Sequence, residues 1–457
     1  MADIIDYPSK SNGFKDSKSW QYYELAHYMV NEMGLKSIDS YMWIYKDTHY
    51  VPINRKLLSK IIIQLTNEAA APKTVRSFVE ACECVSQLND DEFKSPKNCI
   101  NLANGVLDIK SKIFVPHNKD FNFKYMTPIK YDPKARCDEF LEFLNFVFEG
   151  DAQLLSVTAE IFGYCLLDSH PFLHKAFVLL GQGRNGKSTF LDVLKKLLGE
   201  QNVASVSLSN LDRPFSVVQL DGKLANIVGE TPDKHISSEL FKTAIGGEEL
   251  TAALKNKNEY SMPVNARFVV AANKMPKFGD TTTGMWEKLF ILPFNRYIPE
   301  GQRDKGKRER LFKELPGILN FALSGLDRLM ENKSLTKVDA SQMMVEDYRE
   351  DSDSFYEFFN QVVVINKKDA DKLSSGDFTH LKVIYNAYVK WCERNSVKYP
   401  IGLKECRKRL SFILRERGLE HDCPYQRTRE GYAYGNVSIR DFSLIYSVKG
   451  HFHHPSH

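Results

Sequence analysis

No apolar run in this chain of 457 residues approaches the ~20 residues that a bilayer-spanning helix requires. The segment Met1 to Lys18 is polar and mixed in charge, so it reads as neither a signal nor a transit peptide. Of 8 cysteines, the one close pair is Cys82 and Cys84, and no C-x-x-C zinc knuckle is present. That pattern points to reduced thiols of a cytosolic protein. Internal repeats and long low-complexity tracts are missing too. Charge of one sign is scarce: the formal net charge is +4, too small to argue for nucleic acid without local clustering. The tail His451 to His457 is rich in histidine, but a frayed terminus is a plainer reading than a metal site. What remains is ordinary globular composition, 43% hydrophobic and 26% charged. Such a length implies about two to four domains, since one core rarely outgrows about 250–300 residues.

One stretch stands out. Residues Gly181-Gln182-Gly183-Arg184-Asn185-Gly186-Lys187-Ser188-Thr189 follow the apolar run Ala176 to Leu180 and precede Phe190-Leu191-Asp192-Val193-Leu194. This is the G-x-x-x-x-G-K-S/T phosphate loop in its strand–loop–helix setting. Leu191, Leu194 and Leu198 recur at helical spacing, and Gly199 is a helix stop. Glycines let the backbone curl so that its N–H groups face an anion at the start of the helix. Gly181, Gly183, Arg184, Asn185, Gly186, Lys187, Ser188 and Thr189 would cradle the phosphates of ATP, with Lys187 on the β/γ-phosphates and the Ser188 hydroxyl on Mg²⁺.

The remaining pattern places this loop in an α/β core over 171–330, with strands at Ala176–Leu180, Leu224–Val228, Phe268–Ala272 and Leu289–Leu292 and a closing helix from Leu311 to Met330. Ahead of it, 1–18 reads as a disordered tail and 19–170 as a mainly helical accessory domain. That domain includes a hairpin at Tyr41–Tyr45 and Tyr50–Ile53 and a β-like segment turning at Asn104-Gly105. Residues 331–354 read as a linker. The rest, 355–457, shows helix–helix–strand–strand order: Phe378–Asn395, Leu403–Gly418, Tyr425–Gly431 and Tyr432–Ile439.

A phosphate loop needs an acid at the end of a neighbouring strand. The run Leu224 to Val228 ends in Gly229-Glu230, which makes Glu230 the candidate for water-mediated metal contact, for general base, or for both. The run Arg267 to Ala272 ends in Asn273, an amide able to orient water or contact the γ-phosphate. Between these strands lie Lys255 and Lys257, two residues apart, which would point the same way in an extended hairpin and grip a polynucleotide backbone.

That order of phosphate loop, Glu230, lysine hairpin and Asn273 resembles a superfamily 3 helicase. More narrowly, it is similar to the helicase part of phage and plasmid primase–helicases, relatives of poxvirus replication ATPases. Asn104-Gly105-Val106-Leu107-Asp108, Thr127-Pro128-Ile129-Lys130-Tyr131-Asp132-Pro133, Ile291-Leu292-Pro293-Phe294 and Pro316-Gly317-Ile318-Leu319-Asn320 support the likeness. It implies an AAA+-like ring, usually a hexamer, that couples ATP hydrolysis to movement along single-stranded DNA in the replication of a phage, plasmid or mobile element. In that family a Trp is followed by paired arginines that reach a neighbour's ATP, whereas this chain has Trp286-Glu287-Lys288. Lys288, which lacks the bidentate fork of an arginine finger, would have to supply the charge, or else Arg296 or Arg303 would. No polymerase-type carboxylate pair precedes residue 100, so priming is not expected of these residues and a separate primase or initiator is the implied partner.

The C-terminal region clusters Lys404, Arg407, Lys408, Arg409, Arg415 and Arg417 with Tyr425, Tyr432 and Tyr434. Helix–helix–wing order with that charge suits a winged-helix-like contact with origin DNA, with Arg407, Lys408 and Arg409 foremost. The overall reading is an ATP-dependent DNA helicase in the cytoplasm of a bacterial host. The alternatives are a replication initiator whose ATP site is an assembly switch without unwinding, and a small-molecule P-loop kinase.

Overall fold

The computed structural model describes residues 14–440, apart from 16–19, 39–40, 170–171, 231–235, 256–257, 277, 279–282, 367, 396, 398–399 and 430. The expected tail, Lys257 and the histidine-rich terminus therefore lie outside the described residues, except for Phe14 and Lys15. The chain divides into two units, residues 1–280 with 287–341 and residues 281–286 with 342–457.

The first unit opens with α1 (Tyr22–Asn31), then β1 (Lys36–Ile38), β2 (Tyr41–Lys46) and β3 (His49–Ile53), then α2 (Arg55–Leu65) and α3 (Pro72–Val85). The three strands form an antiparallel sheet in the order β1-β2-β3, with Trp43 opposite Lys36 and Pro52. Local chemistry sets the helix starts. Asn54 accepts from the Leu57 N–H at 2.9 Å, and Pro72 opens α3 where its missing N–H costs nothing. Leu25, Met29, Leu58, Ile62, Phe78 and Cys82 are buried together between these helices and the sheet. A second antiparallel sheet follows, β4 (Cys99–Leu102), β5 (Gly105–Asp108) and β6 (Phe114–Val115), with its turn at the expected Asn104. The accessory region thus carries two small antiparallel sheets beside its helices.

Two helices, α4 (Asp138–Val147) and α5 (Ala152–Cys165), lead to β7 (Ala176–Leu180), α6 (Lys187–Leu198), β8 (Val203–Ala204), α7 (Pro214–Val217) and β9 (Ala225–Val228). After α8 (Ser238–Gly246) comes the hairpin β10 (Glu249–Ala252) and β11 (Tyr260–Pro263). Then follow β12 (Arg267–Ala272), α9 (Thr283–Trp286), which groups with the second unit, β13 (Leu289–Pro293), α10 (Lys307–Lys313) and α11 (Leu315–Asn332). Strands β13-β7-β12-β9-β8 form one parallel sheet in that order. All four strands drawn from the apolar runs are present, and the short β8 is added.

A single apolar core runs from Ile100 to Val338. The boundary expected at 170 therefore falls inside a shared core, because α4 and α5 pack on the helices of the sheet. Helix α5 lies directly against α11. A Cβ on Gly163 would meet the Ala322 carbonyl, and one on Gly325 would meet the Ala159 backbone. Buried Glu160 is satisfied there by the Thr336 hydroxyl at 2.6 Å and N–H at 2.8 Å.

The second unit contains most of α12 (Asp339–Ser352), α13 (Ser354–Val362), β14 (Val363–Ile365), β15 (Phe378–His380), α14 (Leu381–Arg394), α15 (Leu403–Glu416), β16 (Tyr425–Thr428), β17 (Gly431–Gly435) and β18 (Val437–Ile439). The stretch read as a linker is largely helix α12. The expected two helices and two strands are present. They are joined by α13 and by β15, which pairs with β17 in the sheet order β15-β17-β16. Phe355, Phe358, Tyr388, Trp391, Leu410 and Ile413 fill this unit's own core.

Replacing Gly325 by Val should lower the unfolding free energy by about 1–3 kcal/mol through overpacking, whereas Gly301→Ala, with open space around it, should not. Urea unfolding measures both. Thiol labelling of the native chain gives a second check. Burial pushes the Cys82, Cys165 and Cys406 thiols up to about 12, while Cys84 is exposed. At pH 8 Cys84 should react first, with the buried thiols appearing only on unfolding.

Candidate functional site

The turn after β7 is shaped by its glycines and by one amide. Gly186 has a φ of 91°, and a Cβ there would stand 2.8 Å from Val147 Cγ1, so no other residue fits without strain. Arg184 also has a positive φ, 54°. Buried Asn185 donates from Nδ2 to the Phe294 carbonyl at 2.7 Å and accepts at Oδ1 from Lys187 Nζ at 3.0 Å. Gly181, at the base of the loop, supplies a second acceptor for Lys187 Nζ, its carbonyl at 2.5 Å. Burial pulls the Lys187 pKa below its ordinary value. Lys187 is also the first residue of α6, so the N-terminal end of that helix adds partial positive charge at the same place.

Parallel strands bring the other expected residues to this edge. Val270 is level with Val228, and Ala272 with Leu180, so Glu230, Asn273 and Gly181 all follow the C-terminal ends of adjacent strands. Lys187, Ser188, Thr189, Gly183, Arg184, Asn185, Gly186, Glu230 and Asn273 line one cavity of about 800 Å³. The cavity is also walled by Phe143 and Phe146 of α4 and by Ile298, Arg303, Lys305, Lys307 and Arg308. Among the described residues no group of three or more His, Cys, Asp or Glu side chains is placed to hold a metal.

Sequence reasoning missed the aromatic wall, because Phe143 and Phe146 lie some forty residues upstream in an ordinary amphipathic pattern. The basic wall had a signal, the charged run from Arg303 to Arg310. Several of these charges are partnered: Lys307 with Glu139 at 3.1 Å, Arg308 with Asp192 at 2.9 Å. Arg303 donates to the Ile298 carbonyl at 3.2 Å, and Arg296 lies over the Phe146 ring at 3.9 Å.

Lys288 is not in this cavity. It precedes β13, which runs parallel to β7, so it sits at the opposite end of the strands from the loop. It lines a separate cavity with Lys242, Glu239 and Glu248. Lys255 is exposed in the loop of the β10–β11 hairpin, away from the phosphate loop. In the second unit, Arg407 lies over Tyr432 at 4.4 Å and Lys408 pairs with Glu405 at 3.4 Å. Arg409 turns inward, bonding Asp353 at 2.8 Å, where Asp353 also caps α13. Of the three expected DNA contacts, Arg409 is thus held within its own unit. Consecutive residues of a helix point about 100° apart, so 407, 408 and 409 cannot share a face.

Residues 3–149 match the family described as "D5 N terminal like", and residues 179–284 match a family of unknown function, DUF5906. A protein of Acanthamoeba polyphaga mimivirus, "Putative helicase L207/L206", is 23% identical over 60% of this chain. The chain spans 33% of that relative's length. Among solved structures, the apo structure of the NrS-1 C terminal region (305-718) has a TM-score of 0.49 at 13% identity, covering 93% of this chain and 100% of that one. A second form of that region gives 0.47 at 13% identity, over 91% and 98%. The fold is α/β with a parallel sheet. The N-terminal match and the mimivirus relative support a likeness to the phage-type primase–helicase family.

Removing the Asn185 amide tests the loop's anchor. Asn185→Ala should cost about 1–3 kcal/mol of unfolding free energy, because the Phe294 carbonyl loses its buried donor. Chemical denaturation measures the loss.

Proposed function

We propose that this chain is an ATP-dependent DNA helicase of superfamily 3 type, acting in the replication of a phage, plasmid or related element in a bacterial cytoplasm. The observation that carries the reading is the convergence of Lys187, Ser188, Glu230 and Asn273 on one cavity at the C-terminal edge of the sheet. Numbered along the chain, the five parallel strands stand in the order fifth, first, fourth, third, second. This places the loop strand next to the strand ending in Asn273, as an AAA+-like core requires.

Lys187 would exchange its two neutral acceptors for β- and γ-phosphate oxygens, while the loop N–H groups take the remaining oxygens. Ser188 and Glu230 would hold Mg²⁺, whose chemistry there is to neutralise charge on the β- and γ-oxygens. Glu230 would accept the proton of the attacking water, and the Asn273 amide would orient it. Phe146 and Ile298 offer the apolar surface on which a nucleobase could rest.

Lys288 lies too far from its own chain's cavity to serve it, so any role requires a neighbouring subunit, as in a closed ring, the hexamer being the family's usual form. Lys255 and its hairpin would then face single-stranded DNA in the ring's pore. The order α13, β15, α14, α15, β16, β17, with β17 between β15 and β16, supports a winged-helix-like module. Arg407 and Lys408 are its candidates for duplex contact.

ATPase and duplex-unwinding assays on wild type and Lys187→Ala test this. Loss of one preorganised cationic donor should lower turnover at least about 100-fold. Equal activity in the two proteins would remove the nucleotide site from the account.

A further inference from the structure

The N-terminal sheet presents an aromatic strip that continues the path of the lysine hairpin. Along β2 the side chains alternate: Met42 and Ile44 are buried, while Tyr41, Trp43 and Tyr45 share the other face. Tyr41 is 42% exposed and shares a hydrogen bond with Tyr260. Tyr260 pairs with Ala252 at the last rung of the hairpin, beside the loop that carries Lys255. The β2 face and the hairpin tip are therefore neighbours.

Lys124 extends the strip. Lys124 is an exposed residue, with its ammonium 5.2 Å from the Trp43 ring and 4.4 Å from the Phe93 ring. It also acts on the Asp221 carboxyl, which in turn acts on the Tyr260 hydroxyl. Lys36, on the neighbouring strand, is bonded to Asn122 and serves the fold instead. Two acids face this surface: Lys124 bears on both the Asp221 and Asp168 carboxyls, and Lys223 on Asp221. Rings interleaved with ammonium groups on a sheet face suit bases that stack and phosphates that pass by, whatever their sequence.

We infer that Tyr41, Trp43 and Lys124 form a single-stranded polynucleotide contact that continues directly from the hairpin onto the N-terminal sheet. The inference rests on the helicase reading for its ligand, a strand held by Lys255. Tyr41 and Trp43 supply stacking faces, and Lys124 neutralises about one phosphate.

Fluorescence anisotropy of the full chain with a labelled oligothymidylate, over a range of salt, tests the strip. Tyr41→Ala should weaken binding at least about five-fold, and Tyr41→Phe should keep wild-type affinity. Lys124→Gln should lower the slope of log affinity against log salt by about 0.7. ATPase activity without DNA should be unchanged in all three. Ultraviolet cross-linking of wild type to a thiothymidine strand should label Tyr41 or Trp43, a readout that needs no variant. Wild-type affinity and slope in Tyr41→Ala and Lys124→Gln, with binding weakened by Lys255→Ala and no label on β2, would overturn the inference and leave the helicase reading standing. No binding by wild type itself would overturn both.

Discussion

Asn185 ties the two walls of the cavity together. Its Nδ2 holds the chain just past β13 through the Phe294 carbonyl, and its Oδ1 holds the ammonium of Lys187 at the head of α6. A lysine this deeply buried is costly unless its protons find acceptors. Here they find two, Asn185 and the Gly181 carbonyl, both within the loop itself. Burial nonetheless draws the Lys187 pKa down, so the charged form gains from any further anion placed in the cavity. The loop is thereby set in shape while its charge stays only partly compensated.

Strand direction then decides what else can take part. In a parallel sheet every strand ends on the same edge, so Glu230, Asn273 and the loop after β7 meet without any long-range packing accident. The same rule sends residues that precede strands to the far edge. Lys288 precedes β13 and Arg267 opens β12. Neither comes near the cavity, and Arg267 is instead buried against Tyr164, with its Cζ 4.6 Å from the ring. A charge at the far edge can serve a nucleotide only in another molecule, so strand polarity separates residues acting within a chain from those acting between chains.

Much of this edge was legible in sequence, because it depends on local patterns. Ala176 to Leu180 and Arg267 to Ala272 are short apolar runs bounded by turn residues, and they became β7 and β12 with boundaries shifted by a residue at most. The glycine spacing of the loop states its own geometry. The aromatic wall was not legible. Phe143 and Phe146 look like any core residues of an amphipathic helix, and only the tertiary packing of α4 against the loop turns them toward the cavity. The shared core from Ile100 to Val338 was hidden for a similar reason, since the seam of α5 on α11 rests on Gly163 and Gly325, whose partners are 159 and more residues away in the chain. Arg409 shows the limit of counting charges: a basic run on a helix is divided by its 3.6-residue period, and one member went to Asp353.

The hairpin's place in the chain gives the proposed motor its mechanical sense. Strand β9 ends at Val228, just ahead of Glu230, and β12 begins at Arg267; α8, β10 and β11 are the insertion between them. Both ends of that insertion are therefore anchored in neighbouring strands of the sheet that holds the cavity. Helix α7 also bears on the hairpin, through the bond from Ala253 N–H to the Pro214 carbonyl at 3.1 Å. The hydrogen bond from the hairpin to Tyr41 would carry a shift of the hairpin on to the N-terminal sheet. A strand gripped at both places would move against two contacts, which resists backsliding better than one lysine loop could.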